Sequence, residues 1–148
     1  FAGEFGVTLA LQNHRPVIEG YGDVLRMIRE VDSPHLKACV DAPLLKDRSD
    51  AATYRAALDV GRLQVLSHFG GEYERNAEER VCVAKGAENL PAFVRAMSEV
   101  GYQGYLGYEL CHTLPVVNGQ TVGIDFADRN AQLAAEYLRS IIADVQEG

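Results

Sequence analysis

Four predicted strands each end on a side chain that could bind a metal ion or move a proton. These strand-end residues are Gln12, Asp41, His68 and Glu109, which lie 29, 27 and 41 residues apart along the chain. Because the carboxyl ends of parallel strands lie on one face, we expect the four side chains to converge. Two carboxylates, an imidazole and an amide form a mixed oxygen and nitrogen donor set. Such a set suits Mn²⁺, Mg²⁺, Co²⁺, Fe²⁺ or Zn²⁺ better than Ca²⁺ or soft copper.

Glu109 and two histidines are further candidates for chemistry. Glu109 lies in the apolar run YLGYEL, where an unpaired buried carboxylate would be costly, so we expect a metal or a cation beside it. His14 follows Gln12 by two residues and would share its side of the strand if the strand continued, as a ligand or a general base. His112 follows the fourth strand, where it could line the mouth of a pocket.

Each strand-end residue also has a purely structural interpretation. Taken singly, Asp41 could cap the segment that follows it, and His68 could be a buried histidine with its hydrogen bonds satisfied. The recurrence of such residues at every strand end favours a functional site.

The elements that would hold these residues alternate between strand and helix along the chain. The predicted strands are Gly6–Gln12, Leu36–Val40, Leu63–Ser67 and Tyr105–Glu109. Apolar residues at helical spacing predict helices over Tyr21–Val31, about Ala51–Val60, Asn89 to Gly101, and from about Asp125 onward. Strands and helices that alternate without hairpins between them favour parallel pairing with right-handed crossovers. An α/β fold follows, either an open doubly wound sheet or part of a (β/α)8 barrel.

Turn chemistry predicts where some elements begin and end. Asp50 is a plausible N-cap of the second helix, and Gly61 its stop. The connections 69–88 and 111–124 are longer than packing requires, and Asn118-Gly119 in the second predicts a small hairpin. No glycine-rich phosphate fingerprint follows the first strand, where QNHRP stands, which disfavours a dinucleotide-binding sheet.

The runs LALQNH, HLKACVDAP, LQVLSH and YLGYEL resemble the xylose-isomerase-like sugar isomerase/epimerase superfamily. The resemblance covers nearly the whole chain. It implies one domain over residues 1–148, with four βα units forming strands five to eight of a TIM barrel whose N-terminal half lies outside the chain. In that family Glu, Asp, His and Glu hold one divalent metal, and the matching positions are Gln12, Asp41, His68 and Glu109. The resemblance implies a divalent cofactor, Mn²⁺ before Mg²⁺, Co²⁺ or Zn²⁺.

The chain departs from the family pattern at several positions. Gln12 replaces a glutamate, so the site has one negative charge fewer and this residue can ligate but cannot act as a base. Leu44 stands where a histidine often follows the aspartate, and Glu19 is out of register with the second catalytic glutamate. Arg75 loosely matches an arginine that follows the metal-binding histidine, which implies a substrate contact. Metal binding is still expected with these changes, but they weaken the case for simple ketose epimerisation.

The resemblance implies enediolate chemistry on a sugar or a sugar derivative. A metal bound to a carbonyl and an adjacent hydroxyl would act as a Lewis acid while His14 or Glu109 removed the neighbouring proton. Returning the proton elsewhere gives isomerisation or epimerisation. Expelling a β-substituent instead gives elimination, as in enzymes that act on 3-keto-glycosides. A metal-dependent lyase or dehydratase and a non-catalytic barrel fragment are therefore the alternatives.

The composition is that of an ordinary folded domain, with 148 residues of which 47% are hydrophobic and 24% charged. A net charge of −7 disfavours nucleic acid and anionic membranes as partners. The three scattered cysteines, Cys39, Cys82 and Cys111, predict free thiols in a cytoplasmic protein. The opening FAGEFG indicates the tail of a helix. A half barrel with two open edges should pair with another copy or with its missing half.

Overall fold

The computed structural model describes residues 1–76, 78, 82–85, 89–110 and 113–147. The chain divides into two compact units. The first comprises Phe1–Phe69 and Asn89–Gly107, and the second comprises Gly70–Glu88 and Tyr108–Gly148. No helix in the described part of the chain combines the length and the apolar character needed to cross a membrane.

Short strands and longer helices follow one another along the described residues. The strands are β1 (Leu9–Gln12), β2 (Leu36–Cys39), β3 (Leu66–Phe69), β4 (Tyr73–Arg75), β5 (Cys82–Ala84), β6 (Tyr105–Tyr108), β7 (Val116–Val117) and β8 (Gln120–Thr121). The helices are α1 (Tyr21–Val31), α2 (Asp50–Val60), α3 (Leu90–Glu99) and α4 (Ile124–Glu147). Three short 3-10 helices span Ala2–Phe5, Ala42–Leu44 and Gly61–Leu63.

Neighbouring strands of the first unit lie side by side. β1 pairs with β2 in parallel, with Leu9 opposite Leu36 and Gln12 opposite Cys39. The next link is a parallel bridge between Ala38 and Gln64. β3 is in turn hydrogen-bonded to β6. The predicted parallel pairing of the first two strands is confirmed, and their carboxyl ends therefore lie at the same edge.

The apolar face of α1 covers one side of β2, as its helical spacing predicted. The helix has the predicted bounds, Tyr21–Val31. Val31 is the exception in its apolar stripe, because 59% of its surface is exposed. The core of the first unit contains Ile18, Val24, Ile28, Ala38, Val40, Leu45, Ala56 and Val60.

The N-cap of α2 differs from the prediction. The Ser49 hydroxyl accepts a hydrogen bond from the Ala52 N–H at 3.4 Å, and Asp50 is the first helical residue. A serine accepts this bond as well as an aspartate does, so local sequence could not separate the two. Gly61 follows the helix with a φ of 53°, which confirms it as the stop.

The third strand lies further along the chain than predicted. Residues Gly61–Leu63 form a 3-10 turn, and β3 begins at Leu66 rather than at Leu63. His68 therefore lies within the strand instead of after it. The second and fourth predicted strands begin where β2 and β6 begin and extend slightly beyond their observed ends. The first strand begins at Leu9 rather than at Gly6, because Gly6 has a φ of 64° and ends the preceding 3-10 helix.

Two antiparallel hairpins lie in the second unit. Asn118 and Gly119, with φ values of 53° and 77°, connect β7 and β8, which confirms the predicted hairpin. The pairing of β4 with β5, Tyr73 opposite Ala84, was predicted only as a long loop. This second pairing therefore interrupts the predicted strand–helix alternation between β3 and α3. β4 and β5 have three residues each, and such short runs carry no measurable periodicity.

Candidate metal centre

The carboxylate of Asp41 is the centre of a buried polar cluster just beyond β2. Only 1% of Asp41 is exposed. Its Oδ2 accepts a hydrogen bond from Gln12 Nε2 at 2.6 Å and lies 3.3 Å from His68 Nδ1. Its Oδ1 accepts from the His68 backbone N–H at 2.6 Å and from the Ser67 hydroxyl at 3.2 Å. These bonds offset the cost of burying the carboxylate.

Three strand ends supply this cluster, as the parallel order predicted. Gln12 ends β1, Asp41 follows β2 by two residues, and His68 lies near the end of β3. The structure thus brings together three of the side chains that the sequence placed at one edge. Their roles as metal ligands stay predictions.

Asn13 is a positioning residue that the sequence reasoning missed. It is 2% exposed, its Oδ1 accepts from the Asp41 N–H at 2.8 Å, and its Nδ2 donates to the Asp41 carbonyl at 3.2 Å. Both backbone groups of Asp41 are therefore held by one amide. An available signal was the run QNH, in which a polar residue stands directly after the strand where a hydrophobic one would normally pack.

Cys39 is the second residue of the cluster that was missed. It is 2% exposed, and its Sγ lies 3.6 Å from Asp41 Oδ1 and 3.6 Å from His68 Nδ1. Cys39 precedes Asp41 by two residues, which places both on one side of an extended chain. That spacing was the signal in the sequence. Cys39 and Cys82 form no disulfide among the described residues, as predicted, while Cys111 lies outside those residues.

Glu109, the predicted fourth ligand, directly follows β6 and belongs to the second unit. Its side chain is exposed, so the burial from which a partner was inferred is absent. No residue of the run YLGYEL is fully buried, so the run does not enclose the carboxylate. The role of Glu109 as a ligand or a base stays a prediction.

His14 does not share the side of Gln12, contrary to expectation. β1 ends at Gln12, His14 is exposed, and its Nδ1 lies 2.7 Å from the Arg15 carbonyl oxygen. The proposed part of His14 as a ligand or general base is therefore carried by the resemblance alone.

Of the two predicted substrate contacts, Arg75 and His112, only Arg75 is among the described residues. Arg75 lies in β4, and its guanidinium makes two bonds to the Glu136 carboxylate, at 2.6 and 2.5 Å. A substrate carboxylate, hydroxyl or phosphate would have to compete with this ion pair. His112 lies outside the described residues.

A phenol lies close to the polar cluster. Burial, together with smaller contributions from the nearby Cys39 and Asp41, raises the pKa of Tyr102 to about 12. Its hydroxyl donates to the Tyr105 carbonyl at 2.9 Å. Tyr102 is therefore neutral at physiological pH and adds no charge beside the cluster.

The donor chemistry of the cluster fits a small divalent cation. Cys39, Asp41 and His68 each offer one ligand atom, and these atoms lie within 4.8 Å of one another. Gln12 can present its amide oxygen by rotating the amide through a half turn, since oxygen and nitrogen are interchangeable in shape. Asp41 supplies a buried negative charge that a cation would neutralise. Carboxylate, imidazole and amide donors together match the transition-metal and Mg²⁺ range.

Solved structures of similar fold are sugar epimerases by their names. A D-psicose 3-epimerase is 16% identical with a TM-score of 0.71, covering 95% of this chain and 51% of that one. A D-allulose 3-epimerase from Methylomonas sp. is 17% identical with a TM-score of 0.72, covering 95% and 50%. A 3-keto-D-glucoside 4-epimerase from E. coli is 22% identical with a TM-score of 0.65, covering 94% and 48%. The chain therefore spans about half the length of the solved structures it matches.

Sequence similarity assigns the chain to a family. No curated protein sequence matches the chain significantly. The model of a family described as xylose isomerase-like TIM barrel matches residues 1–141. Together with an α/β fold of parallel strands and the similar solved structures, this match establishes that the chain belongs to the xylose isomerase-like TIM barrel family.

Proposed function

We propose that this chain is the second half, strands five to eight, of a (β/α)8 barrel enzyme that isomerises or epimerises a sugar or a sugar derivative. One divalent metal ion would be its cofactor. The observation that carries the proposal is the buried Asp41 carboxylate, on which Gln12 and His68 converge from neighbouring strands. Membership of the family and the epimerase names of the similar structures support the choice of reaction.

Asp41 and His68 would hold the ion from two adjacent strands. The ion would polarise a substrate carbonyl as a Lewis acid. Gln12 would contribute a neutral oxygen, so the protein neutralises less of the ion's charge than a glutamate at that position would. Asn13 and Ser67 would keep the Asp41 carboxylate in place, because they bind its backbone and its Oδ1.

Proton removal next to the carbonyl would fall to Glu109 or His14. Gln12 cannot take part, since an amide is not a base at physiological pH. Epimerisation needs a group on each face of the substrate, one to remove the proton and one to return it. The full barrel would therefore have to supply the second group, by pairing with the missing half or with another copy of the chain.

A metal-dependent lyase or dehydratase is the second candidate, and Gln12 is the observation that favours it. Elimination needs one base and a leaving group, so the loss of one carboxylate from the site would impair elimination less than epimerisation. One similar structure is named as acting on a 3-keto-D-glucoside. Such compounds carry a β-substituent that elimination can expel as the leaving group.

Metal binding by the chain is the direct test. We expect calorimetric titration with Mn²⁺ to give one ion per chain, and Asp41→Asn to weaken binding by about 100-fold or more, because the central charge is lost. Asp144→Asn, which removes an exposed carboxylate from α4, is the matched control and should bind normally. Failure of the unsubstituted chain to bind Mn²⁺, Co²⁺ or Zn²⁺ would refute the proposal.

The reaction is tested with ketoses and 3-keto-glycosides in deuterated water, followed by proton NMR. Deuterium entering next to the carbonyl with recovery of an isomer supports the isomerase or epimerase, whereas release of the glycosidic group supports the lyase. The assay uses the chain together with the purified N-terminal half of a barrel of the same family. No exchange with any of these compounds, despite bound metal, would contradict enediolate chemistry.

A further inference from the structure

Cys39 lies where a further ligand of the candidate metal centre would lie. Its sulfur is 3.6 Å from both Asp41 Oδ1 and His68 Nδ1, and all three residues are at least half-buried. Cys82, the other described cysteine, instead donates to the Leu133 carbonyl at 3.1 Å, within the second unit. The two thiols therefore differ in surroundings, and only Cys39 adjoins ligating atoms.

The distance between the thiol sulfur and the imidazole nitrogen in this trio matches that between two ligands of a tetrahedral zinc ion, and the Asp41 carboxylate lies beside both. For bonds of about 2.3 Å to sulfur and about 2.1 Å to nitrogen and oxygen, tetrahedral geometry separates sulfur from either atom by roughly 3.6 Å. It separates nitrogen from oxygen by roughly 3.4 Å. Cys39 Sγ lies 3.6 Å from His68 Nδ1. The Asp41 carboxylate lies 3.6 Å from the sulfur through Oδ1 and 3.3 Å from the nitrogen through Oδ2, so a small movement of the carboxylate would let a single oxygen complete the set.

Charge favours the same assignment. Asp41 is the only anionic residue among the predicted ligands of the first unit, since Gln12 and His68 are neutral donors. A thiolate from Cys39 would bring the charge of the protein ligands to −2, which balances a divalent cation. Cys39 would thereby restore the negative charge that Gln12 removes relative to a glutamate.

We infer that Cys39 is a metal ligand and that the site selects Zn²⁺ or Co²⁺ over Mn²⁺ and Mg²⁺. This inference rests on the proposed metal site and changes its expected cofactor. Sulfur is a soft donor, and borderline metals such as zinc and cobalt bind thiolate far better than the hard ions do. As the metal–sulfur bond forms, the thiol proton is released to solvent.

Cobalt spectroscopy tests the sulfur ligand directly. The Co²⁺-loaded chain should show sulfur-to-cobalt charge-transfer absorption in the near ultraviolet, and Cys39→Ser should abolish it. Cys82→Ser is the matched control: its hydroxyl can keep the bond to Leu133, and the band should remain. A band that survives Cys39→Ser would overturn the inference, as would its absence from the unsubstituted chain.

Competition between metals supplies the second readout. We expect the unsubstituted chain to bind Zn²⁺ at least about 100-fold more tightly than Mn²⁺, and Cys39→Ser to lower zinc affinity about tenfold or more. Manganese affinity should change little in the same variant, which excludes general misfolding. Manganese binding with no preference for zinc would overturn the sulfur ligand and leave the proposed function standing. The same conclusion would follow if Asp41→Asn abolished all metal binding while Cys39→Ser left the affinities for both metals unchanged.

Discussion

Asp41 in the first unit and Asn130 in the second are both almost fully buried polar residues, 1% and 5% exposed, with different partners. Asn130 serves the backbone: its Oδ1 accepts from the Tyr73 N–H at 3.2 Å, and its Nδ2 donates to the Gly71 carbonyl at 3.2 Å. It also contacts the Tyr108 hydroxyl. Asp41 instead gathers side chains that can bind a metal.

The difference distinguishes a polar residue that satisfies backbone groups from one that we propose as a metal ligand. Asn130 is neutral and satisfies backbone groups that would otherwise be buried without partners, so its geometry is complete within the chain. Asp41 carries a charge and is surrounded by an amide, an imidazole and a thiol. Burial alone would not distinguish the two residues; the chemistry of their neighbours does.

Asp41→Asn should have the largest effect. The amide loses the charge, and its Nδ2 would face groups that donate to the carboxylate, including the His68 N–H. We expect the unfolding free energy of the metal-free chain to fall by about 3 kcal/mol, measured with urea. Unchanged stability in urea would mean that the carboxylate contributes only to ligand binding.

Asn130→Ala should destabilise the chain without affecting metal binding. The substitution leaves the Tyr73 N–H and the Gly71 carbonyl without their partner, at a cost of about 2 kcal/mol in urea denaturation. Manganese or zinc affinity, measured by calorimetry, should stay within about twofold of the unsubstituted chain. A large loss of metal affinity would show that the comparison between the two residues is wrong.

Gln12→Glu should destabilise the metal-free chain and strengthen metal binding. A second carboxylate would replace the amide that lies 2.6 Å from Asp41 Oδ2, and like charges at this distance repel. We expect the metal-free chain to lose about 1–2 kcal/mol of stability at pH 7 and the metal affinity to rise about tenfold. Thermal melting with and without Mn²⁺ measures both changes. Equal melting temperatures in EDTA would contradict the expected repulsion.

Tyr102→Phe should have the smallest effect, confined to alkaline pH. The pKa of Tyr102 is raised to about 12 in the folded chain from an ordinary value of 10.0, so the unfolded chain loses this proton first. The contribution of the neutral phenol is therefore complete below pH 10 and is lost as the pH rises towards 12. In EDTA, the melting temperature of Tyr102→Phe should fall less over this pH interval than that of the unsubstituted chain. Tyr105→Phe, whose ring is 82% exposed, is the control and should follow the unsubstituted chain.

Much of the architecture could be predicted from local patterns. The bounds of α1 follow from apolar residues at helical spacing, and the β7–β8 hairpin follows from Asn118-Gly119, which readily adopt positive φ. The convergence of Gln12, Asp41 and His68 needed one further step, that strands alternating with helices run parallel. Each of these features depends on short sequence segments or on chain order.

The details of the site depended on contacts between distant segments. The start of β3 was misplaced because Gly61–Leu63 turns before the strand begins, and because Gln64, which precedes β3, makes the bridge to Ala38. Asn13 is hydrogen-bonded to Asp41, 28 residues away, and no local pattern predicts that contact. No period in the sequence encodes which strand lies opposite which.

The sequence by itself determined the family, the alternation of strands and helices, and the edge at which Gln12, Asp41 and His68 meet, because periodicity, turn residues and chain order are local properties. Only the tertiary structure decided which groups touch there. It placed Cys39 against Asp41 and His68, and paired Arg75 with Glu136. The physical reason is that strand register, set by packing across the whole core, fixes positions to within the few tenths of an ångström that ligand geometry requires.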